Sequence, residues 1–281
     1  MTGKRSILLF IAFLCVFLFV SFARGSRKKG VAAWAGDFRC DDFKVLNNLS
    51  WWYDWKNDLT TYDAHVTNVC PASNVAVPQF IPMVWKSKWD NRTHLNFTRH
   101  THFVLGYNEP DREDQANLTP QQVADIWPDI EKQSHGRLLV SPAVAVHDFK
   151  WYDEFFRLCN NCRIDHIAAH AYSCNANHIM SYLEKLYHRY HKKIWLTEFA
   201  CPHATDDQPQ LHLMQTLLPK LEAANYVFRY AWFMARVKRV FGDGFINPAA
   251  GLLRNDSSTL TRIGHFYNNF HAHGHNPQVV G

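Results

Sequence analysis

The chain has 281 residues, 47% of them hydrophobic, and a formal net charge of +5, which allows one large α/β domain or two small ones. Without residues 1–23 the balance is 28 basic against 25 acidic side chains, too mild a surplus to make nucleic acid an expected partner. The same chain carries 7 Cys and 10 Trp, a composition that suits a disulfide-bonded exported protein with rings to fill a core or stack on a ligand.

Residues 1–23 read as a secretory signal peptide. Lys4 and Arg5 precede the apolar run at 7–22, which is short for a membrane span, and the small residues Ser21 and Ala23 close it. A signal anchor is the alternative, favoured by the basic group Arg24, Arg27, Lys28 and Lys29; either way the chain enters the secretory pathway and is expected to be extracellular. Residues 24–30 are a short basic leader. Asn48, Asn91, Asn96, Asn117 and Asn255 each begin an N-x-S/T sequon, so glycosylation is expected. Cys15 lies in the signal, leaving Cys40, Cys70, Cys159, Cys162, Cys174 and Cys201, an even set for disulfides. The C-N-N-C at 159–162 also resembles half a zinc site or a redox pair, but there is no second C-x-x-C to complete it.

Short apolar or β-branched runs predict strands at 30–35, 49–55, 79–85, 102–108, 137–144, 164–172, 193–199 and 227–234. Three helical patterns separate them. At 119–133, Thr119, Pro120 and Gln122 form a capping-box start, with Val123, Trp127 and Ile130 on one face. At 177–193, Ile179, Leu183, Leu186 and Tyr190 fall at helical spacing before a basic end. At 211–225, Pro219 marks a kink. Strand and helix alternating over 31–270 predict an α/β fold, a single-domain (β/α)8 TIM barrel. No G-x-G-x-x-G follows the first strand, which removes the usual reason to prefer a doubly wound sheet. Residues 271–281 read as a solvated His-containing tail rather than a metal site, and the tail lacks the apolar stretch of a lipid anchor.

In such a barrel the chemistry sits at the carboxyl ends of the strands. The residues there are Trp85, Asn108 with Glu109 in GYNEPD, Ser141, His170 with Tyr172, Glu198, and Trp232. Glu109 and Glu198 are 89 residues apart, three βα units, which places them nearly across the pore. If Glu198 points inward, alternation sends Trp195 and Thr197 to the helix layer. Two close carboxyls cannot ionise independently, so one stays a general acid and the other attacks, as retaining glycoside hydrolysis requires. Asn108 is placed to donate to a sugar 2-hydroxyl, and His170 and Tyr172 share the inward side with both carboxylates.

GYNEPD, LVSPAVA, IDHIAAHAY and IWLTEFA, in that order, with QFIPMVW upstream and RYAWFM downstream, resemble glycoside hydrolase family 128. The resemblance spans roughly residues 31–270. It implies a retaining, endo-acting β-1,3-glucanase with acid/base Glu109 and nucleophile Glu198. By the same carry-over, Asn108, His170, Tyr172 and Trp232 line the subsite of the cleaved sugar, and Trp85 stacks nearby. One departure is Ala171, where many members carry a bulky aromatic; by alternation it faces the helices. Cys174 and Cys201 lie just past the ends of strands six and seven, so they are expected to pair and brace the loops around Glu198. No metal or organic cofactor and no stable membrane anchor are expected; the expected partner is a β-glucan and the expected state a monomer. A β-glucan-binding pseudoenzyme and a different linkage preference, or net transglycosylation, are the competing readings.

Overall fold

Each of the eight runs expected to be extended overlaps a strand in the computed structural model, which describes residues 25–58, 77–86, 95, 97 and 101–271. They are β1 (Lys29–Ala32), β2 (Trp51–Tyr53), β3 (Gln79–Phe80), β4 (Phe103–Leu105), β5 (Leu138–Val140), β6 (Ile167–His170), β7 (Ile194–Phe199) and β8 (Val227–Phe233). All named pairings are parallel, in a six-stranded sheet of order β3-β2-β1-β8-β7-β6 and a two-stranded sheet β4-β5. Single parallel bridges, Met83 to Leu105 and Val140 to His166, lie between the two sheets. The helices are α1 (Asp42–Val45), α2 (Pro120–Gln133), α3 (Lys150–Leu158), α4 (Ala176–Tyr190), α5 (Asp207–Ala223) and α6 (Arg262–Asn269). The expected signal segment, Cys70, Asn91, Asn96 and the tail beyond His271 lie outside the described residues.

Local chemistry explains the helix boundaries. Thr119 Oγ1 accepts from the Gln122 amide at 3.2 Å, and Gln122 Oε1 accepts from the Thr119 amide at 2.8 Å, the reciprocal capping box that starts α2. Val123, Trp127 and Ile130 are buried between α2, β4, β5 and α3. Asn175 and Asp206 cap α4 and α5, the latter starting four residues before the periodicity alone suggested, and Pro219 lies inside it.

Lys28 and Lys29, read from sequence as part of a basic leader, belong to the fold. Lys28 Nζ donates to the carbonyls of Leu221, Glu222 and Ala224 at 3.0, 2.9 and 2.8 Å, at the end of α5. Lys29 Nζ donates to Tyr267, Asn268 and Phe270 at 2.7, 2.9 and 2.8 Å, at the end of α6. Each ammonium satisfies the orphan carbonyls of a helix terminus and meets the negative end of its dipole. Next to them Gly30 lets the Trp51 ring lie on the backbone of β1, where any Cβ would collide with it.

A β-bulge in β7 overturns the expected facing of Trp195. Ala169 pairs with Leu196 but His170 with Glu198, so Thr197 is an extra residue and the alternation changes phase there. Trp195 therefore packs on Trp51, Phe103 and Phe228, rings from β2, β4 and β8. It shares a face with Glu198, which meets Tyr53 two residues along the same side of β2.

Candidate active site

Glu198 is 4% exposed, yet both of its oxygens are occupied by donors. Tyr172 Oη donates to Oε2 at 2.6 Å; Tyr53 Oη and Trp55 Nε1 donate to Oε1 at 3.0 and 2.9 Å. Glu109, at the end of the chain leaving β4, sits at φ 40°, a left-handed conformation that costs a residue with a side chain about 1 kcal/mol. Its amide donates to Ala143 and its carbonyl accepts from Arg112, which hold that conformation. Strain of this kind persists where the surroundings over-determine it, as they do at functional sites.

His170 joins the two carboxylates. Its Nδ1 lies 2.8 Å from Glu109 Oε1, and its Nε2 lies 3.5 Å from Glu198 Oε1. The second contact is electrostatic, since Nε2 has no hydrogen-bond partner among the described residues. One ligand atom each of Glu109, His170 and Glu198 lie within 4.8 Å of one another. A divalent cation held by that trio would compete with the His170 contact to Glu109 and with the donors already aimed at Glu198.

The electrostatics follow from burial and from this proximity. Burial holds the Glu198 carboxyl above the usual range; the His170 charge pulls it back, Glu109 pushes it further up, and the Tyr172 and Trp55 hydrogen bonds favour the ionised form. For His170, burial opposes the charged ring, but Glu198 and Glu109 outweigh it and raise its pKa. Burial, reinforced by the charge of Glu198, keeps Tyr53 and Tyr172 protonated as donors.

The other sequence candidates divide. Asn108 is buried beside Glu109, its Nδ2 donating to Gln115 at 3.0 Å and its Oδ1 unpaired among the described residues. Trp85 is 37% exposed and its carbonyl accepts from the Asn108 amide. Cys174 and Cys201 are bonded to each other with Cα atoms 4.3 Å apart, tying the segments after β6 and β7, and Cys159 bonds Cys162. Asn117 and Asn255 are exposed, and Asn48 is half-buried.

Trp232 does not line the site. It is fully buried, donates from Nε1 to Ala250 at 2.7 Å, and packs on Phe199 and Tyr267 of α6. Successive strand residues face opposite sides, so its neighbour Phe233 takes the site face, against Trp55 and Tyr172. Trp232→Phe is expected to lower stability by about 1–2 kcal/mol, the cost of an orphaned buried carbonyl, and to leave KM unchanged; thermal melts and steady-state kinetics check both. Tyr53, Trp55 and Phe233 are site residues that the sequence reading passed over. The signal was present in WWYDW, where Trp51, Tyr53 and Trp55 alternate onto one face and end at the carboxyl terminus of β2.

Comparison with known proteins agrees with this geometry. Residues 30–267 match the glycosyl hydrolase catalytic core family. Alkali-sensitive linkage protein 1 of Schizosaccharomyces pombe is 28% identical over 257 residues, 86% of this chain but 44% of that protein, so the chain spans less than half the length of this relative. A subgroup II endo-β-1,3-glucanase of glycoside hydrolase family 128 from Sorangium cellulosum superposes with a TM-score of 0.71 at 30% identity, over 90% of this chain and 100% of that one. A subgroup I endo-β-1,3-glucanase from Amycolatopsis mediterranei, in complex with laminaritriose, gives 0.65 at 25% identity, over 86% and 99%. An exo-β-1,3-glucanase of subgroup V from Cryptococcus neoformans shares the fold at a TM-score of 0.70 and 24% identity, over 85% and 97%. Parallel strands with a carboxylate pair at their ends, matched in this way, make the protein a glycoside hydrolase. The chain belongs to family 128 of those enzymes.

Proposed function

We propose that the protein is a secreted, endo-acting β-1,3-glucanase that cleaves with retention, Glu109 serving as acid/base and Glu198 as nucleophile on a (β/α)8 barrel. The observation that carries this reading is the approach of the two carboxylates within 4.8 Å, with three donors dressing Glu198. Retaining enzymes hold their carboxyls about 5–5.5 Å apart, whereas inverting ones leave about 6.5–9.5 Å for a water. The two bridges between the sheets support the barrel, and the named β-1,3-glucanases among the structural relatives support the substrate.

The roles follow from surroundings. The donors from Tyr172, Tyr53 and Trp55 stabilise the ionised form of Glu198, so they serve it as the attacking anion. Glu109 is less enclosed and passes its proton to the departing glycosidic oxygen as Glu198 Oε closes on C1. Water then attacks C1 of the glycosyl ester, Glu109 takes its proton, and the sugar leaves with its original configuration. His170, between the two, moderates their mutual repulsion. Asn108, His170, Tyr172 and Trp85 supply sugar contacts. Asn48, Asn117 and Asn255 are available as glycan acceptors on the exported chain.

Product release from linear β-1,3-glucan, with β-1,4-glucan and β-mannan alongside, tests the substrate, and NMR of the first-formed anomer tests retention. A ladder of oligosaccharides marks endo action, whereas one short product marks exo action; release from β-mannan alone would overturn the assignment.

The acid limb of kcat/KM reports ionisation of Glu198. Its raised pKa means that activity falls, as pH drops, through a value above that of an ordinary glutamate. Tyr172→Phe removes a donor that favours the anion, so that limb is expected to move to higher pH and kcat/KM to fall about a hundredfold; pH profiles of the two proteins check the sign.

A further inference from the structure

Among the described residues, two tryptophans stand out as exposed large apolar side chains, Trp34 at 47% and Trp85 at 37%. Both follow the carboxyl ends of strands, Trp34 two residues beyond β1. A Trp carries a large apolar surface and is normally well covered, so half-exposure beside a catalytic pair calls for a reason. Trp34 is linked to that pair by one ring. Trp55, the donor to Glu198 Oε1, stands edge-on to it with centroids 6.3 Å apart and planes at 77°.

Arg239 completes the arrangement. Its Cζ lies 5.6 Å from the ring centre of Trp34 and 5.6 Å from that of Phe241, on the segment after β8. Its neighbour Lys238 is paired with Asp37 at 2.8 Å, whereas Arg239 is exposed and has no ion pair among the described residues. A guanidinium held near two rings has given up part of its side-chain freedom before any ligand arrives. A pyranose offers the matching surface, C–H groups on its face and hydroxyls around its edge.

The side of the cleft follows from the proposed roles. The leaving portion of the substrate departs by the acid/base Glu109, while Trp34 and Arg239 connect to Glu198 through Trp55. Resting on the retaining β-1,3-glucanase reading, we infer that Trp34 and Arg239 form a glycone-side subsite for a β-glucosyl unit beyond the cleaved residue, Trp34 stacking on its face and Arg239 hydrogen-bonding its hydroxyls.

Chromogenic β-1,3-gluco-oligosaccharides with glycones of one to five units test it in the full chain, comparing wild type with Trp34→Ala, Trp34→Tyr and Arg239→Met. The expected result is that the ratio of Trp34→Ala to wild-type kcat/KM drops about tenfold between the shortest and longest glycones, that Tyr restores most of it, and that Arg239→Met gives a smaller drop at the same length. A ratio independent of glycone length overturns the inference, because it would mean that Trp34 acts only by holding Trp55. Should the wild type cleave none of the series, the hydrolase reading fails by itself. Binding of unmodified laminari-oligosaccharides, followed calorimetrically, then decides the subsite: weaker binding of the longer ones by Trp34→Ala supports it, and equal binding sinks it.

Discussion

Glu198→Gln is expected to cut hydrolysis of β-1,3-glucan by about 10⁴-fold or more while oligosaccharide binding survives. Gln has nearly the shape of Glu but no charge with which to attack C1. Its amide must also turn an NH2 group toward either Tyr172 or the Tyr53 and Trp55 pair, where the native carboxylate offers only acceptors. Azide rescue separates the two carboxylates. With Glu198→Ala and an aryl glycoside, azide enters from the vacated face and gives the α-configured glycosyl azide. With Glu109→Ala the glycosyl ester still forms, and azide gives the β product. An exchange of these two outcomes would reverse the assignment of nucleophile and acid/base.

The largest expected effect on stability lies away from the chemistry. Arg236, after β8, and Asp42, at the start of α1, are each 2% exposed and paired through Nη2 at 2.7 and 2.8 Å. Asp42 also accepts from the Arg39 amide and the Ser258 hydroxyl, and Arg236 Nη1 donates to the carbonyls of Arg254 and Ser257. One buried pair therefore ties the segment after β1 to two stretches of the chain after β8, around Arg236 and around Arg254–Ser258. Asp42→Ala leaves an unpaired guanidinium in the interior, and about 3–5 kcal/mol of stability is expected to go with it, a fall of about 10 °C in Tm. Replacing both partners with apolar residues of matching volume is expected to recover much of the loss, because the desolvation of both charges is relieved together. Thermal melts of the single and double variants distinguish this from a simple loss of contacts.

What could be read beforehand was governed by how local the cause was. Glu109 and Glu198 were visible because strand ends recur at the length of a βα unit, and spacing survives errors of one residue at each boundary. Alternation does not. The extra Thr197 in β7 reversed the facing of Trp195, and a phase error of one residue on β8 chose Trp232 where Phe233 reaches the site. Helix α2 announced itself through its capping box, whereas α3 begins at Phe149 in a left-handed conformation with no side-chain cap, so no residue marked its start. The roles of Tyr53 and Trp55 needed a partner 143–145 residues away, which no local pattern supplies.

The two adjacent lysines impose an order on assembly. Lys29 and its carbonyl acceptors are 238, 239 and 241 residues apart in the chain, so at roughly 5–20 residues per second of synthesis the first strand waits on the order of tens of seconds for the segment that fastens it. Until then β1 can pair with β2 and β8, but the Lys29 ammonium lacks the carbonyls that receive it. Since β2 pairs with β1 and leads into Tyr53 and Trp55, the grip on Glu198 is expected to depend on α6 as well. Truncation before Tyr267 is therefore expected to weaken the site through β1 and β2, far in sequence from the residues removed.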